Sequence, residues 1–196
     1  KLLYRAIQAD KLSSIIFYGP PGTGKTTLAR VIANTTSAEF MQINATVAGK
    51  KDMEEVVAKA KDNRGMFGKK TILFIDEIHR FNKSQQDYLL PFVEDGTLIL
   101  IGATTENPYF EVNRALISRS TVFELKPLSL EEIEVLIRRA VYDEKKGMGS
   151  YHAEIEADAL QFLADMAGGD ARLALNAVEL VVFSTERRVG GGVYLT

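Results

Sequence analysis

Gly19-Pro20-Pro21-Gly22-Thr23-Gly24-Lys25-Thr26 meets the pattern G-x-x-x-x-G-K-[ST] at every fixed position. It follows Ser14–Tyr18, an apolar run with the length of a buried strand. It precedes Thr26–Thr35, where Leu28, Ala29, Val31 and Ile32 recur at helical spacing. A glycine-rich loop between strand and helix lets backbone N–H groups turn toward phosphates, and the helix adds its positive dipole end. In that setting Lys25 reaches the β- and γ-phosphates, and the Thr26 hydroxyl ligates Mg²⁺. The residues expected to touch ATP are therefore Gly19, Pro20, Pro21, Gly22, Thr23, Gly24, Lys25, Thr26 and Thr27.

Further along, Thr71–Ile75 is a continuous apolar run of the kind buried on both faces of a parallel sheet, and it ends in Asp76-Glu77. Ligands of open α/β sheets bind at the carboxyl ends of strands. Asp76 is expected to hold the metal, through water, and Glu77 to polarise the attacking water as general base. Alone, the pair reads equally as two acids facing solvent; beside a phosphate loop, the catalytic reading prevails. Asn44 and Thr104 end the second and fourth strands on the same rim, within reach of the water, the γ-phosphate or Glu77. Polar residues there also serve as simple turn formers. Arg119 lies between a helix and a strand, where a solvated charge is the plain reading. Arg172 opens the last helix, where the dipole disfavours a cation, a weak hint of an anionic partner. His79 and His152 lack a third ligand at metal-binding spacing, and His79 reads as structural or as surface.

Strands at Ser14–Tyr18, Glu39–Ile43, Thr71–Ile75, Leu98–Ile101 and Val122–Leu125 alternate with helices at Thr26–Thr35, Asp52–Arg64, Ser84–Val93 and Val112–Ser118. This rhythm predicts a doubly wound parallel α/β sheet. A short helix is predicted over residues 2–9. After Pro127 the pattern turns helical: Ser129 and Glu132 form a capping box, and helices are predicted at 157–167 and 171–183. The expected division is a nucleotide-binding core over 1–126, an all-helical lid over 127–186, and the start of a further region at 187–196.

The composition narrows the function classes. Of 196 residues, 46% are apolar and 26% charged, with 24 basic against 26 acidic and a net charge of −2. This balance gives no support to a nucleic-acid-coating protein. There are no cysteines, which removes disulfides and thiolate metal sites and suits a reducing compartment. No apolar run is long enough to span a bilayer.

The most specific stretch is Asp76-Glu77-Ile78-His79-Arg80-Phe81-Asn82-Lys83, with Gln85-Gln86-Asp87 and Leu89-Leu90-Pro91 after it. Gly102-Ala103-Thr104-Thr105-Glu106-Asn107-Pro108 and Ala115-Leu116-Ile117-Ser118-Arg119 follow. Together they resemble the replication-associated recombination protein A family of AAA+ ATPases, which includes the Werner-helicase-interacting ATPase. The likeness runs from about Lys1 to about Arg188. It implies a P-loop fold with a five-stranded parallel sheet and a helical lid, working with ATP and Mg²⁺. It also implies roles: Asn44 as the polar switch restraining Glu77, Thr104 as first sensor, Arg119 as a finger into a neighbouring subunit, and Arg172 as second sensor. The implied partners are further copies of the chain, as a tetramer, DNA with single-stranded ends or gaps, and single-strand DNA-binding protein. The implied place is the bacterial cytoplasm at the nucleoid, or the nucleus of a eukaryote. Family members carry a Gly-Gln element before the position of Lys1 and an oligomerisation domain beyond Thr196. The chain is thus expected to be a fragment that binds ATP and hydrolyses it poorly when monomeric. Clamp-loader subunits, branch-migration motors and an ATP-latched scaffold are the neighbouring alternatives.

Overall fold

The computed structural model describes residues 13–185 and 193–195. The helix expected at 2–9 and most of the further region expected at 187–196 lie outside them. The chain divides into two compact units. One comprises 13–19 with 24–125; the other comprises 20–23 with 126–185 and 193–195.

The first unit is built on five parallel strands: β1 (Ser14–Tyr18), β2 (Glu39–Asn44), β3 (Thr71–Asp76), β4 (Ile99–Thr104) and β5 (Ser120–Glu124). Their order is β2-β3-β4-β1-β5. The central strands are apolar throughout because both faces are covered. Strand alternation sends Ile16, Leu73, Ile75 and Leu100 to one face, against Met53, Val56, Ala60 and Leu89. Ile15, Phe17, Ile72, Phe74 and Ile101 go to the other, against Ala29, Ile32 and Ala33.

The covering helices are α1 (Lys25–Thr36), α2 (Lys50–Phe67) and α3 (Lys83–Glu94), followed by the short α4 (Pro108–Glu111) and α5 (Arg114–Ile117). Helix α2 passes through Gly65, where the sequence suggests a stop. It ends instead at Gly68, whose φ of 59° lets its N–H bond back to the Asn63 carbonyl. The helix expected at Val112–Ser118 is confined to Arg114–Ile117, and a further short helix, Pro108–Glu111, precedes it. Asn107 caps α4, and the chain is extended at Val112 before α5 begins.

One buried side chain ties this region together. Gln86 of α3, 2% exposed, accepts from the Asn113 N–H at 2.7 Å and donates to the carbonyls of Phe81 (3.0 Å) and Glu111 (3.2 Å). A hydrocarbon there leaves polar backbone groups without partners, at about 1–3 kcal/mol for each buried group. Gln86→Leu is expected to lower stability by about 2 kcal/mol in urea titration. Coincident midpoints for variant and parent would contradict this account of Gln86.

The second unit packs α6 (Leu130–Tyr142), α7 (Ala157–Ala167) and α8 (Ala171–Ser184) around Ile133, Ile137, Leu160, Leu163, Ala174 and Val178. The Ser129–Glu132 capping box starts α6, with bonds of 3.2 and 2.8 Å. The unit is not purely helical. β6 (Ala153–Ile155) pairs in parallel with β7 (Val193–Leu195), burying Val193 and Leu195. Val193-Tyr194-Leu195 is strand-like in sequence, but its partner Ala153–Ile155 is too short to stand out, and the pairing is distant in sequence. Among the described residues, no helix is long and apolar enough to cross a membrane.

Candidate functional site

Parallel pairing brings the carboxyl ends of four strands to one rim. Asn44 lies opposite Asp76 in register, and Tyr18 opposite Thr104. The chain leaves β1 through Gly19, whose N–H donates to the Thr104 carbonyl at 3.1 Å. Gly19 has a φ of 151°, and a Cβ there would sit 2.1 Å from the Leu125 carbonyl oxygen, so only glycine fits. At Tyr18, burial and then the Glu124 carboxylate push the phenol above its ordinary pKa, which keeps it neutral.

Gly24, in the left-handed region, forms the N-cap of α1 and supplies no side-chain cap. The first turn of α1 thus opens onto the loop without a side-chain cap, as at helix N-termini that receive anions. The Lys25 ammonium curls back to donate to the Gly19 carbonyl at 2.8 Å. The loop tip, 20–23, belongs to the second unit. There the Thr23 hydroxyl donates to the Pro20 carbonyl, and the Gly22 carbonyl accepts from the Ala171 N–H at 3.0 Å. Asp170 caps α8 by accepting from the N–H groups of Arg172 and Leu173. Arg172 follows directly and is exposed.

Asp76 ends β3, its carboxylate accepting from the Glu77 N–H at 3.1 Å. Glu77 then adopts φ 55°, ψ 42°, a left-handed conformation rare outside glycine. That turn starts a 3₁₀ segment, Ile78–Arg80, pinned by Ile78 at 0% exposure. It brings His79 between two predicted site residues. His79 Nε2 lies 3.3 Å from Glu77 Oε2, and Nδ1 lies 2.8 Å from Thr104 Oγ1. Sequence reading leaves His79 aside for want of metal partners. The missed signal is its position two residues after Glu77 in a tight turn, where a side chain can fold back toward the same rim.

Two other predicted residues lie differently. The Asn44 amide oxygen is held by the Thr46 N–H (2.9 Å) and hydroxyl (2.7 Å), an Asx turn. Asn44 is thus on the rim, but its recorded hydrogen bonds go to Thr46. Arg119 precedes the first residue of β5, whose partner in β1 is Ser14, so it stands at the amino edge of the sheet, opposite the rim. There it pairs with Glu94 at 2.5 Å and donates to the Ala115 carbonyl at 2.9 Å.

The donor set suits Mg²⁺. Among the described residues no group of three or more His, Cys, Asp or Glu side chains could cage a metal. One carboxylate and one hydroxyl beside a phosphate loop match an ion that takes its other ligands from phosphates and water.

Comparison with known proteins agrees with this geometry. The profile described as "ATPase family associated with various cellular activities (AAA)" matches residues 15–128. Replication-associated recombination protein A of Haemophilus influenzae is 53% identical over 97% of the chain and 43% of that protein. Its Bacillus subtilis counterpart is 48% identical over 100% and 45%. The chain therefore spans under half the length of these curated relatives. The Thermotoga maritima RuvB Holliday junction branch migration motor superposes with a TM-score of 0.73 at 30% identity, over 91% of this chain and 57% of that one. Phosphate loop, strand-terminal acids and sheet order thus lead to one assignment: the chain belongs to the AAA family of ATPases and, within it, to the replication-associated recombination protein A family.

Proposed function

We propose that this chain binds Mg·ATP along the carboxyl rim of its sheet, hydrolyses it, and uses the cycle to act on DNA at stalled or damaged replication forks. The observation that carries the hydrolytic part is the placing of Asp76, Glu77 and Thr104 at adjoining strand ends, with the Lys25 ammonium on the Gly19 carbonyl where the chain leaves β1. Lys25 releases the Gly19 carbonyl to meet the β- and γ-phosphates. Thr26 and Asp76 hold the magnesium ion, which when bound neutralises phosphate charge. Glu77 takes a proton from the attacking water, and the Thr104 hydroxyl oxygen orients that water. Asn44, beside Asp76 in register, restrains Glu77 once its amide leaves Thr46. Arg172 reads the nucleotide from the second unit. Arg119, at the far edge of its own sheet, serves the site of a neighbouring copy in a homo-oligomer, a tetramer.

The DNA part rests on likeness to the replication-associated recombination proteins, with single-stranded ends or gaps as substrate and single-strand DNA-binding protein as partner. A bacterial location at the nucleoid goes with it. Branch migration is the second reading, favoured by the superposition on RuvB. ATP turnover titrated with forked duplex, gapped duplex and four-way junction, with and without single-strand DNA-binding protein, separates them. Forks and gaps are expected to stimulate most, with a response that weakens as salt rises. Stimulation by the four-way junction alone favours the second reading, and indifference to every DNA contradicts both.

A further inference from the structure

We propose that His79 is the positioning residue for Glu77, fixing its carboxylate through an imidazole that Thr104 in turn holds. The inference rests on the reading of Glu77 as general base and adds the element that aims it.

The Thr104 hydroxyl has one proton and two acceptors in reach, His79 Nδ1 at 2.8 Å and the Glu106 carbonyl at 3.3 Å, and the shorter contact takes it. The Glu106 N–H donates to Thr104 Oγ1 at 2.9 Å. With the Thr104 hydroxyl donating to His79 Nδ1 (2.8 Å), the imidazole carries its proton on Nε2, which faces Glu77 Oε2 at 3.3 Å. This tautomer, assigned from the network, gives each ring nitrogen a polar neighbour. Glu77 Oε1 is then the oxygen left to receive the proton of the attacking water.

The base of the ring is equally constrained. The Arg80 N–H closes the turn on the Glu77 carbonyl at 2.8 Å. Ile78 packs over Gly102 of β4, where an added Cβ would lie 3.0 Å from its Cδ1. The side chain of His79 is 9% exposed against 33% for Glu77, so the imidazole is the buried support and the carboxylate the open end. Thr104 also links this support to the phosphate loop, since its carbonyl receives the Gly19 N–H. A freely rotating glutamate at the end of a strand has several rotamers; this one is steadied from within the sheet. Holding a reacting group in place is worth up to about 10²-fold in rate per ångström of misplacement.

The two ring nitrogens can be tested apart. In His79→Asn the amide stands where Nδ1 was and reaches Thr104 only. In His79→Gln it extends to where Nε2 was and donates to Glu77. Leucine provides neither contact. We expect kcat for ATP to fall about 10- to 100-fold in His79→Leu and His79→Asn, with KM and ATP affinity near the parent's, and most of the turnover to return in His79→Gln. If His79→Leu does not fold, the split between asparagine and glutamine decides. Equal kcat in all variants, a glutamine variant as slow as asparagine, or a loss seen only in KM overturns the proposal. Glu77→Gln assayed alongside separates the two claims. If that variant turns over normally, the reading of Glu77 has failed. If it is inactive while the His79 variants are unaffected, only the role of His79 has failed.

Discussion

Glu77→Gln is expected to reduce ATP turnover about 10²- to 10⁴-fold, the usual worth of a general base, and to leave nucleotide binding intact. The substitution keeps the volume and reach of the side chain, and its amide oxygen still accepts from His79. The left-handed backbone at this residue (φ 55°) is no harder for glutamine than for glutamate. Stability should therefore stay within about 0.5 kcal/mol of the parent, and the loss should appear in kcat rather than in affinity. Binding of a fluorescent ATP analogue, measured beside phosphate release, makes the distinction. A variant that releases phosphate at the parent's rate would remove Glu77 from the chemistry.

Arg119→Ala is expected to cost about 10³-fold or more in turnover, as removal of an arginine finger does, although Arg119 stands at the wrong edge of its own sheet. Its bond to Glu94 joins two side chains each 42% exposed, and exposed pairs of this kind contribute at most about 1 kcal/mol. Unfolding temperature should thus barely move while catalysis collapses. ATP affinity of the dilute chain should not change either, because no group of the same chain's rim is lost. An Arg119→Ala chain with near-parental turnover at high concentration would show that the residue is a surface cation after all.

How far the sequence carried depends on the distance over which each feature is encoded. The phosphate loop, Asp76-Glu77 and the capping box at Ser129 are local patterns, and the fold places them where local rules put them. The three buried central strands are legible for the same reason, since both faces demand apolar residues. What is not legible needs two distant segments at once. His79 meets Thr104 only because β3 and β4 are neighbours, and Gln86 meets Asn113 only because α4 and α5 return to α3. Gly102 sits inside β4, where Ile78 fills the space that a side chain would take, a contact between distant segments. The β6–β7 ladder lies beyond reach for the same reason. At Asn44 a local rule competes with a site rule: Asn-Ala-Thr spells an Asx turn as clearly as the rim position suggests a catalytic neighbour.

On the proposed mechanism the ATP site is divided between chains, with Glu77 supplied by one copy and Arg119 by another. Mixing Glu77→Gln with Arg119→Ala tests this most directly. Each variant alone is expected to be nearly inactive at every concentration. The mixture should regain turnover, because an Arg119→Ala chain keeps an intact base that a Glu77→Gln neighbour can serve with its arginine. A mixture no more active than its two components, at concentrations where the parent's turnover per chain has reached its plateau, would contradict it.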